Sequence, residues 1–226
     1  MPHPMDDFWT QILGPLSNEI SHAAWKHLQE HFWIRTGKPA HDETYESRMQ
    51  AFQEWVCLDG PPPCLLARLA SQGRFQNHTA QMALSLASSH FGLFVLMAPW
   101  KKTAWFRDLL GGADFMVHET PPIFGLVPGQ IVQTRIFAYQ NECWFTLGRV
   151  VHPENATETI YCLLPWLRKQ GFSDLDMLHI LMKMEWRSRL HVRMNPVNFY
   201  NPTHPLVQNL IAEFPREIIG KTHPSW

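Results

Sequence analysis

The sequence predicts an α+β fold in which a small antiparallel β-sheet, or a partly closed barrel, lies between two helical regions. Residues 91–151 contain about five short apolar or alternating segments separated by glycine and proline turns, which is typical of short antiparallel strands. The residues on both sides instead repeat their apolar side chains every three or four positions, as amphipathic helices do. We therefore expect residues 1–89 to be helical, 90–152 to form a β-module, and 153–226 to form helices that pack on that module in one unit.

The first helical region is expected to contain four helices. Residues 8–34 have helical spacing, but Gly14-Pro15 predicts a break, with Ser17 as the N-cap of the second part. Asp59-Gly60 and three prolines end the next helix, because proline cannot continue one. The later helices are expected from residue 42 or 44 to 58, at 65–70 and at 79–88.

The β-module begins with Phe91–Ala98, an apolar run that is too short for a confident helix and is rich in aromatic and branched residues. Phe115–Glu119 alternates in polarity and places Met116 and His118 on one face of a strand. Two further segments joined by a short polar turn should form an antiparallel hairpin: Gln130–Tyr139 and Cys143–Val151.

The second helical region is expected to begin with a helix at 157–169. Ser173 predicts the N-cap of a longer helix that runs to about Arg193, because Asp174 and Asp176 fall in its first turn, where the helix dipole favours anions. A short final helix is expected at 206–214.

Composition limits the classes of function. The chain has 226 residues and a formal net charge of -1, so it has no overall attraction to phosphate, and nucleic acid is not the expected partner. It lacks an apolar run of about 18 residues and a basic, apolar leader, which predicts neither a membrane span nor a signal peptide. Its four cysteines form no C-x-x-C pair, which favours the reducing cytoplasm.

A series of short motifs runs through residues 45–150. In chain order they are Phe52-Gln-Glu-Trp55 with Leu58-Asp59, Gly92-Leu-Phe-Val95, Phe106-Arg-Asp-Leu-Leu110-Gly111, Val117-His-Glu119, and Pro128-Gly-Gln-Ile-Val132 with Arg135-Ile136. This order resembles a group of bacterial proteins, some of which carry a C-terminal zinc-binding SEC-C motif. The resemblance implies a helical segment before a small β-module and a bacterial origin, but no catalytic residues. This chain has no C-terminal cysteine cluster, so the resemblance does not imply zinc.

The residues favour a non-catalytic protein-protein interaction or adaptor function. The chain has ten tryptophans, which are enriched at binding surfaces but also fill cores, and it lacks the common nucleotide-binding motifs, so no cofactor is expected. Trp100, Trp105 and Trp144 are the candidate contacts with another protein, because they lie in or beside strands of a module too small to bury every one. Arg187 and Arg193 could add an acidic or phosphate contact, although cations near a helix C-terminus also serve the helix itself.

Two alternatives remain open. His27-Leu-Gln-Glu30-His31 matches H-x-x-E-H, in which two imidazoles one helical turn apart bind zinc while the glutamate activates water. A metal-dependent hydrolase of this kind would need a third ligand, and the same residues suit an ordinary helix. The second alternative is single-stranded nucleic-acid binding, since small barrels often stack bases on aromatic side chains.

Overall fold

The strands of the central module pair into a ring, and helices cover most of its outside. The computed structural model describes residues 3–5, 7–60, 64–100, 102–118 and 125–215, including the side chains of the helices and strands except those of Leu13, Ser17 and Trp100. The helices are α1 (Phe8–Glu19), α2 (His22–Thr36), α3 (Tyr45–Leu58), α4 (Leu65–Ser71), α5 (Asn77–Ala87), α6 (Thr157–Lys169), α7 (Asp174–Leu190) and α8 (Pro205–Glu213). The strands are β1 (His90–Trp100), β2 (Thr103–Asp108), β3 (Asp114–His118), β4 (Ile131–Tyr139), β5 (Glu142–Phe145) and β6 (Val150–Val151).

Five strands close the ring in the order β1-β2-β3-β5-β4, because β4 also pairs with β1. β6 adds to β4 outside the ring. The expected α+β class, with a partly closed barrel between helical regions, is confirmed. One pairing departs from an all-antiparallel sheet: β3 and β5 run parallel and meet at Val117 and Cys143.

Alternate residues of all five ring strands fill the inside of the barrel. They form one buried cluster of mainly aromatic and branched side chains: Phe94, Leu96, Ala104, Phe106, Val117, Val132, Ile136 and Phe145. This is the arrangement expected of a small barrel, whose interior is a packed core and not a channel. The aromatic side chains in this interior are phenylalanines. Among the described residues, no tryptophan lies in it.

Three groups of helices cover the outer faces of the strands. Helices α6, α7 and α8 pack on the β1–β4 side through Leu93 and Ile131. Helices α1, α4 and α5 pack on the β4–β5 side through Phe137 and Trp144. Helices α2 and α3 form a smaller cluster with Val150 of β6. Each of these three cores therefore contains side chains from both the helices and the β-module, whereas the barrel interior is formed by strand residues.

The predicted helix break at Gly14-Pro15 is wrong. Helix α1 continues through Pro15, because Ile12 and Leu16 on either side of it are buried in the same core. The chain breaks instead after Glu19, and Ser21 begins α2 by accepting a 3.2 Å hydrogen bond from the Ala24 amide.

The long C-terminal helix begins as predicted. The Ser173 hydroxyl accepts from the Asp176 amide, and the Asp176 carboxylate accepts from the Ser173 amide, which together form a capping box. The helix ends at Leu190 and not near Arg193, which lies in the turn that follows. Within the described ranges no helix combines the length and apolar character needed to cross a membrane.

Candidate functional site

The outer face of β2 and β3 is the part of the barrel that presents apolar side chains to solvent. Trp105 lies directly opposite Ala98 of β1 on one side and Met116 of β3 on the other. Met97, Trp105 and Met116 are 46%, 40% and 44% exposed. We call Met97, Ala98, Trp105 and Met116 the Trp105 face. Trp105 thus has a directly opposed neighbour on each side, and Met97 lies at the β-bulge beside Ala98, where two residues of β1 face one of β2, so these four form one surface.

The charged side chains beside this surface neutralise each other. The Arg107 guanidinium donates two hydrogen bonds, of 2.8 and 3.0 Å, to the two carboxylate oxygens of Asp114. This two-point contact lowers the pKa of Asp114 and raises that of Arg107. A ligand at the Trp105 face would therefore meet apolar surface and a paired ion couple.

The three candidate tryptophans have different positions. Trp105 is exposed, as a binding residue must be. Trp144 is only 4% exposed and packs in the core with α1, α4 and α5, so it belongs to the interior and not to an open surface. Trp100 ends β1, and its side chain lies outside the described part of the structure.

The cations of α7 have mainly intramolecular partners. Lys183 donates to the Ile34 carbonyl at 2.7 Å, and Arg187 lies 3.7 Å from Glu213. Arg189 pairs with Glu185 one turn earlier in the helix and with Glu43. Arg193 is exposed beyond the end of the helix. The proposed binding of an acidic partner by Arg187 and Arg193 stays a prediction. The intramolecular contacts of Lys183, Arg187 and Arg189 favour the alternative, in which these cations stabilise the fold.

The H-x-x-E-H residues do not converge on a metal position. His27 is exposed, Glu30 lies 4.0 Å from Lys26, and the His31 ring stacks on Trp55. Across the described ranges, no group of three or more histidine, cysteine, aspartate or glutamate side chains could hold a metal ion. The third ligand that the hydrolase hypothesis requires is therefore absent from the described residues.

One histidine has the orientation of a general base. His90 Nε2 lies 2.9 Å from a carboxylate oxygen of buried Asp108, which also accepts from the Leu110 and Gly111 amides. A carboxylate held in this way fixes the orientation of the imidazole. The neighbouring serines face elsewhere: the Ser88 hydroxyl donates to the Leu84 carbonyl, and the Ser89 hydroxyl accepts from Arg135. This pair therefore has no serine nucleophile beside it.

A buried charged network joins α3 to the barrel. The Glu54 carboxylate accepts 2.8 Å hydrogen bonds from the Thr146 hydroxyl and the Gly148 amide. Burial nevertheless raises the pKa of Glu54 to about 7, against the opposing effect of Arg135. Arg135 itself pairs with Asp59 and lies 4.9 Å from the centre of the Phe91 ring. Glu54, Arg135 and Thr146 are each at most 4% exposed and the network reaches the surface at Asp59, so it mainly organises the fold.

Two clefts have polar residues in their walls. One, of about 500 Å³, lies between the N-terminal segment, α5 and the β4–β5 hairpin, with His78, Tyr139 and the buried Trp144 among its walls. The other, of about 380 Å³, lies beside the C-terminal end of α7 and is lined by His152, Glu185 and Arg189, among others.

The residues that sequence reasoning missed are Met97 and Met116 on the Trp105 face and His152 in the second cleft. The alternation of β3 does place Met116 on the face opposite Val117, so the pattern could have indicated it. Nothing near His152 distinguishes it from a loop histidine. Comparisons of the chain with protein-family models, curated proteins and solved structures found no match.

Proposed function

We propose that this chain is a non-catalytic adaptor of bacterial type that binds another protein through the Trp105 face. The supporting observation is the alignment of Met97, Trp105 and Met116 on three adjacent strand segments, each more than a third exposed. Helices cover the neighbouring outer faces of β1, β4 and β5 but leave these side chains in water. The apolar area of such a surface stays in contact with water unless a partner covers it, and covering it is favourable.

The chemistry of the face defines the class of partner. Arg107 and Asp114 already satisfy each other, so among the described residues the four side chains of the face provide apolar contact beside a neutralised ion pair. Tryptophan provides a large rigid contact area, and methionine adapts to an irregular one. The partner is therefore a protein segment that presents an uncharged, apolar side. Single-stranded nucleic acid would require cations along its backbone, and Arg107, two residues from Trp105, is already paired with Asp114.

The place of action is proposed to be the cytoplasm. Cys57, Cys64, Cys143 and Cys162 are all free thiols, and a reducing compartment keeps thiols in this state. The adaptor would then meet its partner inside the cell.

The first test identifies the partner and its contact together. A photo-crosslinking amino acid replaces Met116 in one sample and Tyr45 in another, since Tyr45 is 36% exposed, close to the 40% of Trp105, but lies on α3. Irradiation in the host cytoplasm should join a second, different polypeptide at position 116 and none at 45. Crosslinking at both positions, or only to a second copy of this chain, would overturn the proposal.

Binding to the purified partner then tests the role of Trp105. Trp105→Ala should weaken binding at least about tenfold, because a buried tryptophan at an interface contributes about 2 kcal/mol or more. Tyr45→Ala is the matched control and should leave affinity unchanged. Affinity should change little between about 50 and 300 mM salt, since no free charge is involved. A steep fall with salt, together with binding of an oligonucleotide, would indicate nucleic-acid recognition instead.

A further inference from the structure

The cleft beside the end of α7 combines a polar floor with an apolar mouth. Its volume of about 380 Å³ falls at the lower end of the range for small-molecule sites. His152, Glu185 and Arg189 line it, and Val192, Met194 and Pro196 line the mouth. Val192 is 85% exposed, an unusual position for a branched apolar side chain.

His152 provides an unused polar atom in this cleft. The residue is 1% exposed, and its Nδ1 lies 3.0 Å from the hydroxyl oxygen of fully buried Tyr200. Its Nε2 has no hydrogen-bond partner among the described residues. Buried polar atoms are nearly always hydrogen-bonded, so one that lies beside a cleft indicates that a ligand or solvent completes the bond.

The contact with Tyr200 determines what Nε2 can offer. If the Tyr200 hydroxyl donates to Nδ1, that nitrogen carries no proton and the neutral ring has its proton on Nε2. The Nε2–H group is then the one donor of the pair without a partner among the described residues. If Nδ1 instead donates to the hydroxyl, both the Tyr200 proton and Nε2 are left unpaired. The first arrangement leaves fewer unpaired buried groups, so His152 presents an N–H donor. Burial, and next the charge of Arg48, lower the pKa of His152 to about 3, so the ring is neutral at pH 7.

Two arginines and two glutamates meet at the floor of the cleft, so their formal charges cancel. Buried Arg48 and Arg189 both pair with one carboxylate, that of Glu185. The other partner of Arg189 is Glu43, whose side chain is 78% exposed, so this second contact competes with water. Nη2 of Arg189 makes no hydrogen bond within the described part of the chain. A ligand can therefore meet donors from both Arg189 and His152.

We propose that this cleft binds a small molecule that carries a carboxylate on an apolar body. The carboxylate accepts hydrogen bonds from the His152 Nε2–H and the Arg189 guanidinium, where it takes the place of the exposed Glu43 carboxylate. The apolar body lies against Val192, Met194 and Pro196. A planar two-oxygen group fits one arginine and one imidazole donor, whereas a phosphate dianion would require more donors than these residues supply.

The binding test uses octanoate and its neutral counterpart octanamide, with calorimetry on the full-length protein at pH 7. Octanoate should bind one site with a Kd below about 1 mM, and octanamide at least about tenfold more weakly, because it lacks the charge that Arg189 recognises. Amide NMR shifts should map the octanoate site to Val192 and Met194. Equal binding of both compounds, binding mapped elsewhere, or no binding would overturn the proposal.

Two variants separate the donor from the fold. The double variant His152→Phe with Tyr200→Phe removes both hydrogen-bonding partners, keeps an aromatic ring at each position, and leaves no polar atom of the pair buried without a partner. It should stay folded and bind octanoate at least about tenfold more weakly. Tyr200→Phe alone keeps the imidazole and should bind within about threefold of the original protein. Trp105→Ala should not affect octanoate at all. Octanoate affinity retained in the double variant would contradict the assigned role of His152.

Discussion

The Gly148 amide donates a 2.8 Å hydrogen bond to the buried carboxylate of Glu54, which ties the loop after β5 to helix α3. The two residues are so close that a β-carbon at position 148 would lie 2.9 Å from the Glu54 carboxyl carbon and 2.6 Å from the Ala51 backbone nitrogen. The helix can approach the barrel this closely only because residue 148 has no side chain.

The ionisation of Glu54 should make stability depend on pH. Its pKa rises from an ordinary value of 4.5 to about 7 in the folded state, so between these values the folded chain binds more protons than the unfolded chain. The free energy of unfolding should therefore fall as pH rises through that window, by on the order of 3 kcal/mol for this group. Urea denaturation of the original protein and of Glu54→Gln at about pH 5, 6, 7 and 8 measures the difference between them.

Buried histidines should make the free energy of unfolding rise with pH in part of the same range. Burial lowers the pKa values of His152 and His179, so the unfolded chain binds more protons at these residues than the folded chain does. Subtracting the Glu54→Gln curve removes this shared contribution. Parallel curves for the two proteins would show that Glu54 does not titrate in this window.

Trp105 and Trp144 should respond in opposite ways to truncation. Trp144→Ala removes a large side chain from the core shared with α1, α4 and α5, so it should cost about 3–5 kcal/mol of the free energy of unfolding. Trp105→Ala removes an exposed side chain and should cost less than about 1 kcal/mol. Urea denaturation followed by far-ultraviolet circular dichroism measures both. A large loss in Trp105→Ala would place that indole in the structural core and weaken its assignment to binding.

Gly37 should tolerate substitution less well than Gly171. Both have positive φ, +89° and +82°, where an alanine costs about 1–2 kcal/mol. At Gly171 the added carbon meets nothing within 4 Å, but at Gly37 it would lie 2.4 Å from the Trp186 ring. Gly37→Ala should therefore cost at least about 1 kcal/mol more than Gly171→Ala. Thermal or urea denaturation measures both changes. Equal losses of unfolding free energy in the two variants would show that position 37 is farther from the Trp186 ring than this distance implies.

The buried pair Arg48–Glu185 should show strong coupling. Arg48→Met leaves the buried Glu185 carboxylate with Arg189 alone, and removal of one member of a buried pair costs about 3–5 kcal/mol. Removing both charges, with Arg48→Met and Glu185→Met, should recover at least about 2 kcal/mol of that loss, since Arg189 is half-exposed and can turn to water. The two single variants and the double variant form a double-mutant cycle. Additive losses would mean that the two charges stabilise the fold independently.

Local sequence signals predicted much of the fold but not how the strands close into a ring. The Ser173 cap depends on residues within one turn, and the alternation that begins at Phe115 depends on neighbours along one strand, so both can be read from the sequence. The parallel contact of Val117 with Cys143 joins segments separated by a long connection. No local pattern specifies such a pairing.

Tertiary packing also explains the errors. Pro15 is a helix breaker by its own chemistry, yet Ile12 and Leu16 hold α1 together because both are buried against the same neighbours. Trp105 and Trp144 look alike in the sequence, since each lies in a short strand. Helices that are distant in the chain cover Trp144 and leave Trp105 open, and only the assembled structure distinguishes the two.

The core beneath α1, α4 and α5 has a consequence for how the chain is made. Those helices are synthesised before the β-module, but Phe137, Tyr139 and Trp144, which complete their core, follow the end of α5 at Ala87 by fifty residues or more. Until then the apolar sides of these helices lack the partners that complete their core and are open to aggregation or to a chaperone. A nascent chain that stalls before β4 would therefore be a target for quality control, with α6, α7 and α8 still to be made.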